Sequence, residues 1–411
     1  MDRPTIILAT SNGIGMGHLA RATAIAEELK KVANPVIVSV AGGVAEIGSA
    51  MGIRCEYIPG KTRGWMPRSK WDSYFRDRLL AIAEETHAQV ITFDGVVPYP
   101  GFIATKNSNR NLTTVWVRRG FWQKNLLRFV LPFQSRVVDY IVEPGDYASE
   151  YDHGPTSGRK EAHVTSPVSL YKDSDSLSRE DARKALNLDL SKPAVLVQLG
   201  TGDGDMNQKM TAALSGLIGW KDLQIVLTKE PVDSNGDSLV PAGLEVRIIR
   251  YFPLSRVLKA FDAAIAATGY NSVHELLPAH IPSVFISNIR GTDDQDARAK
   301  WCHDHGYALR ADHASLTDIT ATVQRLSDET VRADLKRKCA DLSNTNGGAE
   351  IAQILLQLAQ SSKKGSNKTF ARFMAIQLIH KATYLYRLVR PYAKNSLLKG
   401  REILYSQETN A

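Results

Sequence analysis

The sequence predicts an α/β chain of two successive halves, each a parallel sheet covered by helices on both faces. Three observations lead there. Short apolar runs alternate with glycine loops and helical periodicity from the start of the chain. The composition turns to Ser, Asp, Arg and Lys between about 167 and 189. The same alternation then begins again, which gives two units of roughly 170 residues, a normal domain size.

In the first half, residues 5–9 form a strand, SNGIGMGH a glycine-rich loop, and 19–31 a helix with Leu19, Ala22, Ile25, Ala26 and Leu29 on one face. Further strands are expected at 35–40, 89–94, 113–118 and 140–143. Between them, TRGWMPRSKWDSYFRDRLL and RRGFWQKNLLRFVLPF interleave Trp and Phe with Arg and Lys. Such segments suit a membrane interface, a lipid-bearing ligand or stacked bases; equally, helices could bury the aromatic rings while the charges stay wet. After the helical REDARKALNL, the second half brings a strand at 194–199, the loop GTGDGDMNQ, a helix near 210–219, strands at 224–228 and 245–249, and a helix around 254–261.

Length and composition narrow the function. With 411 residues, 43% hydrophobic and 23% charged, the chain can bury large cores, and disorder is excluded as its general state. Cys55, Cys302 and Cys339 are far apart, with no CxxC and no paired His spacing, so a zinc site is not expected and a reducing cytoplasm fits. The first apolar run is too short for a signal peptide, and no stretch approaches the roughly 20 apolar residues of a membrane span. The formal net charge is +8, yet residues 361–411 hold ten Lys or Arg against two Glu, a surplus equal to that of the whole chain. A neutral body with a basic tail is not a nucleic-acid-binding domain.

The stretch 263–286, AAIAATGYNSVHELLPAHIPSVFI, reads as strand, glycine turn at Gly269, short helix capped by Asn271 or Ser272, proline break at Pro278 and second strand. Helix N–H groups above a strand end suit phosphate. Glu275, one turn in, suits a pair of ribose hydroxyls, or is a solvated surface residue. Gly13, Gly15 and Gly17 are close to a dinucleotide fingerprint, but His18 stands where the third glycine belongs and PVIVSVAGG ends without an acid for a ribose. No nicotinamide or flavin is therefore expected. His18 opens a helix at the mouth of the loop, as a base facing a substrate hydroxyl or as a cap. Asp94, in FDGVVPYPG, ends an apolar strand on the same sheet edge; it could orient the His18 ring, or simply make a turn.

NGIGMGHLARATAIAEEL, ATGYNSVHELL and GTDDQDARAKWCHDHGYAL, in this order on a chain of two such halves, resemble the GT-B glycosyltransferases, most closely the branch with the peptidoglycan-precursor N-acetylglucosaminyltransferase. The resemblance covers about residues 5–360. It implies a GT-B fold, two Rossmann-like domains facing a central cleft: an acceptor domain at 1–168, a donor domain at 169–360, and outside the resemblance a basic amphipathic helical tail at 361–411. It further implies hexosyl transfer with inversion from a nucleoside-diphosphate sugar, UDP above others, to an acceptor hydroxyl, lipid-linked acceptors of cell-envelope synthesis included. Gly15 and Gly17 would face the acceptor, with His18 as base and Asp94 as its partner. Gly200, Thr201, Gly202 and the turn Gly269, Tyr270, Asn271 and Ser272 would hold the diphosphate, Glu275 the ribose, and Asp294 and Gln295 the sugar hydroxyls. No cofactor and no metal is implied. Rival readings are a nucleotide-sugar epimerase of the same fold and a non-catalytic nucleotide-sugar binder.

In the tail, a helix over 370–392 would place Phe370, Met374, Leu378, Leu385, Leu388 and Val389 on one face and Arg372, Arg387 and Arg390 opposite. It would pack on the body or on a second subunit, or lie on an anionic membrane surface. The second arrangement makes the protein cytoplasmic and peripheral on the inner face of the cell membrane.

Overall fold

A computed structural model of the chain describes residues 3–11, 17–61, 65–124, 131–200, 204–228, 238–289, 291–343, 346–361 and 378. In the first half β1 (Thr5–Thr10), β2 (Asn34–Ser39), β3 (Arg54–Tyr57), β4 (Val90–Gly95), β5 (Thr113–Arg118), β6 (Tyr140–Pro144) and β7 (His163–Thr165) form a parallel sheet ordered β3-β2-β1-β4-β5-β6-β7. In the second, β8 (Ala194–Gln198), β9 (Gln224–Leu227), β10 (Val246–Ile248), β11 (Ala263–Ala267), β12 (Ser283–Ile286) and β13 (Leu309–Ala311) form another, ordered β10-β9-β8-β11-β12-β13. All strand pairs are parallel. The expected strands lie within one residue of those observed. β3, β7 and β13 escaped notice because edge strands of three or four residues carry little apolar pattern.

Both faces of each sheet are packed, as parallel sheets require. Ile6 and Leu8 of β1 meet Leu19 and Ile25 on one side, while Ile7 and Ala9 meet Trp71 and Phe75 on the other. In the second half Val195 and Val197 join Leu214 and Leu217, and Leu196 joins Leu258 and Leu277. The strand order reverses direction between β1 and β4, and again between β8 and β11. At such points the connections diverge to opposite faces and leave a crevice at the carboxyl ends of the strands.

One expected boundary changes. The helix Gly347–Gln360, assigned from sequence to the second half, packs Ile351, Ala352 and Leu355 into the first-half core with Ile6, Leu8 and Leu19. The helix has an apolar stripe, and packing decides which sheet that face covers. Gly347 N–H donates to the Pro167 carbonyl at 3.0 Å, and a Cβ at Gly347 would stand 1.9 Å from the Ser166 oxygen, so the return crossing needs glycine there. Glu28 accepts from Lys172 Nζ at 2.5 Å and Asn346 Nδ2 at 3.1 Å, one residue from each crossing between the halves. Burial pushes its pKa up, and the hydrogen bonds from Lys172, Lys31 and Asn346 outweigh this and hold it at about 2.

Where they are described, the aromatic and basic segments follow the burial reading only in part: most rings are buried, but Phe133 is 52% exposed and the Arg118 charge is buried as well. Trp71 and Phe75 of the helix Arg68–Glu85 are buried and stacked at 4.8 Å, with Trp71 Nε1 donating to Pro59 O at 2.8 Å, and Trp122 is buried as well. Trp65 is 46% exposed. The amphipathic helix expected over 370–392 lies, apart from Leu378, outside the described residues. Among the described residues no helix is long and apolar enough to cross a membrane.

Candidate active site

The helix Gly17–Leu29 starts where β1 has ended, with His18 in its first turn, and β4 places Asp94 beside Thr10 of β1. The crevice thus joins two residues that sequence left ambiguous: His18 Nδ1 lies 2.7 Å from Asp94 Oδ1. Gly95 makes this close exit possible, since a Cβ there would meet Phe93 Cε1 at 2.6 Å and Ser11 Cβ at 2.9 Å.

Arg21 completes the group and was missed from sequence, although it stands three residues from His18 on the same helix face. Its Nε donates to Asp94 Oδ2 at 2.8 Å and its Nη2 to Oδ1 at 2.5 Å, both side chains being buried. Burial works against ionisation of Asp94, but the Arg21 charge and the bonds from His18 and Arg21 outweigh it and keep the carboxyl below its ordinary range. Burial, with the Arg21 and Arg119 charges, lowers the His18 pKa against the pull of Asp94. The ring is therefore neutral near pH 7, Nδ1–H faces Asp94, and Nε2 has no partner among the described residues. That is the state a general base needs.

Across the cleft, β8 leads to Gly200, whose φ of 81° is in the left-handed region that favours glycine. β11 leads through Thr268 and Gly269 into the helix Tyr270–Leu276. Here polar groups stand open. The half-buried Glu275 carboxyl has no hydrogen-bond or ion-pair partner among the described residues, and burial raises its pKa to about 7. Thr268 Oγ1 is buried without a partner. Leaving such groups unmade costs roughly 1–3 kcal/mol each, a cost that a hydroxyl-bearing ligand would remove.

Known proteins resemble this chain in sequence and fold. Residues 190–372 match the glycosyltransferase family 28 C-terminal domain. Over 395 residues the chain is 21% identical to the UDP-N-acetylglucosamine–N-acetylmuramyl-(pentapeptide) pyrophosphoryl-undecaprenol N-acetylglucosamine transferase of Rhodococcus opacus, covering 88% of this chain and 98% of that one. The transferase of the same name from Paenarthrobacter aurescens is 28% identical over 184 residues, 43% of this chain and 49% of the relative, so the chain matches about half of that relative's length. The crystal structure of MurG from Acinetobacter baumannii superposes with a TM-score of 0.54 at 17% identity, over 86% of this chain and 99% of that one. The chain is a glycosyltransferase of the GT-B fold.

The side chains of several residues expected to touch the donor also make contacts within this glycosyltransferase, some of them between its two halves. Tyr270 is 5% exposed; its hydroxyl donates to Gly145 O at 2.8 Å and accepts from Val168 N at 2.9 Å, and the Arg21 guanidinium lies 5.1 Å from its ring centroid. Its side chain is thus closed to a diphosphate. Asn271 Nδ2 donates to the carbonyl of Gly17, at the exposed start of the His18 helix, at 3.2 Å. Ser272 is half-buried beside them. Asp294 caps the helix Gln295–Asp304, accepting from Ala297 N at 3.1 Å through Oδ1, and Gln295 Oε1 accepts from Asn288 N at 2.9 Å. Among the described residues the second carboxylate oxygen of Asp294 and the amide nitrogen of Gln295 have no hydrogen-bond partner. Gly15, Thr201 and Gly202 lie outside the described residues.

The seam itself was not expected. Gln123 N donates to Thr292 O at 2.9 Å and Asp294 N to Phe121 O at 3.0 Å, an antiparallel bridge between the halves. Fully buried Arg298 reaches Asp146 Oδ2 at 2.9 Å, Thr268 O at 3.0 Å and Asp293 Oδ1 at 2.9 Å. Burial raises the Asp293 pKa, but Arg119 and Arg298 overcome it and bring it to about 2. An arginine among the inward residues of a helix was the available signal.

Proposed function

We propose that this glycosyltransferase moves a hexose or N-acetylhexosamine, with inversion, from a nucleoside-diphosphate sugar, UDP first among them, to an acceptor hydroxyl of a lipid-linked envelope precursor. The observation that carries the reading is the facing of two complementary sites: a neutral imidazole held by Asp94, and across the cleft Glu275, which has no partner among the described residues. Support for the donor and acceptor classes comes from the names of the relatives.

In the reaction, His18 Nε2 takes the acceptor O–H proton as that oxygen attacks the anomeric carbon. The bond from that carbon to the diphosphate breaks, and the nucleoside diphosphate leaves with the electron pair. The turn Gly269–Ser272 offers backbone N–H groups to the leaving diphosphate, Glu275 accepts from the ribose hydroxyls, and Asp294 and Gln295 hold the sugar. The domains are proposed as 1–168 and 346–360 for the acceptor side and 169–345 for the donor side, with the basic tail resting on an anionic membrane.

A coupled assay for released nucleoside diphosphate, run on UDP-N-acetylglucosamine with and without lipid-linked acceptor, tests this. Release that depends on acceptor supports transfer. Release without acceptor and with a free epimerised sugar would replace it by the epimerase reading. Deleting residues after Gln360 should abolish sedimentation with anionic liposomes at low salt and spare transfer to a water-soluble acceptor analogue; unchanged sedimentation would remove the tail from the account.

A further inference from the structure

The base at the first crevice has a third member whose role follows from where its charge goes. We infer that Arg21 is a positioning residue for His18: it takes up the charge of Asp94 and, through the Tyr270 ring, ties the base to the donor-side half. The inference rests on the reading of His18 as the base and adds to it.

A carboxylate bonded only to an imidazole favours imidazolium, which cannot act as a base until it loses its proton. Here both Asp94 oxygens accept from one guanidinium, at 2.8 and 2.5 Å, so the negative charge is largely met before the imidazole draws on it. Arg21 Nη2 also lies 3.1 Å from His18 Nδ1, where a cation disfavours protonation of the ring. Asp94 still orients the ring through Nδ1 and so leaves Nε2 turned outward.

Charged and titratable groups reach this cluster from each side. Asp94 comes from β4, Arg21 from the helix of His18 itself, and Arg119 from just past β5. From the other half come Tyr270, against the Arg21 face, and Asp293, which acts on Arg21. The Arg21–Tyr270 contact and the Asn271 bond to Gly17 O are both made across the cleft. Separation of the halves would break both and leave Arg21 held by Asp94 alone, so docking of the donor half steadies the working form of the base.

The test is titration of the His18 ring by NMR of the labelled, ligand-free full chain. Arg21→Gln should raise its pKa by about one unit or more, since Asp94 then has the imidazole alone. Arg21→Lys, with a single donor in place of the fork, should give a smaller rise in the same direction. Tyr270→Leu should also raise it, and Tyr270→Phe, which keeps the ring, should leave it near the wild-type value. An unchanged or lowered His18 pKa in Arg21→Gln overturns the inference; if that variant does not fold, an unchanged value in Arg21→Lys does so. The titration needs no substrate, so its failure removes only the role of Arg21. Full turnover by His18→Ala would remove the base itself.

Discussion

At the β1/β4 crevice the buried charges of Asp94 and Arg21 are met by each other and by His18, whereas at the β8/β11 crevice Glu275 and Thr268 carry polar groups with no partner among the described residues. The two crevices arise from the same strand reversal, so the contrast belongs to the side chains and not to the fold. It teaches which site is finished by folding and which is finished by a ligand. A base must hold its tautomer before substrate arrives, and its network is therefore complete in advance. On the proposed reading Glu275 is a binding carboxyl whose partners come with the ligand; burial raises it to about 7 while Asp94 is held below its usual range.

The largest expected effect breaks the finished site. Asp94→Ala leaves Arg21 buried and unpaired, and about 3–5 kcal/mol of stability should be lost, as read by denaturant unfolding. A loss under 1 kcal/mol would mean that water or another group takes over the guanidinium. His18→Ala should keep nucleotide affinity in calorimetry and cut turnover about a hundredfold or more. Turnover close to wild type would make His18 a helix cap.

At the open site the effects are smaller and partly reversed in sign. Glu275→Ala should weaken nucleoside-diphosphate binding by roughly 1.5–3 kcal/mol, and equal affinities in the variant and the parent would return Glu275 to a surface role. Without ligand the same carboxyl opposes folding when ionised. Its folded pKa is raised, so its contribution is most favourable below the unfolded value near 4.5 and is lost as pH rises toward 7, by up to about 3 kcal/mol. Glu275→Gln should flatten the fall of melting temperature across that window, and an unaltered slope would place the carboxyl in water. Asp94 has the opposite sign: its contribution is present above the unfolded value and fades as pH falls through its depressed one. The smallest change is Gln295→Ala, which should cost about 1 kcal/mol in affinity for the intact sugar donor and nothing for the free nucleoside diphosphate. Equal losses for both ligands would move Gln295 away from the sugar.

Much of this was visible in the residues themselves. Strand positions, the two glycine exits and the placing of His18 and Asp94 on one sheet edge follow from patterns between near neighbours. The network around them does not. Arg21 shares a helix face with His18, but only packing against β4 brings it to Asp94. Tyr270 was expected at the diphosphate because its turn faces the cleft, yet its side chain points back and bonds the first half through Gly145 and Val168. The helix Gly347–Gln360 showed an apolar stripe that either sheet could have covered.

By itself, the sequence determined the two parallel-sheet halves, the crevices and the chemistry-bearing residues beside them, because helix and strand periodicity and turn geometry are local properties of a chain. Only the tertiary structure decided which groups are paired and which stay open. Arg21 meets Asp94 from 73 residues away, Arg298 meets Asp146 from 152 and Asn271 meets Gly17 from 254. Whether a buried charge finds a partner depends on how helices settle on sheets and how the halves dock, and no spacing along the chain encodes those distances.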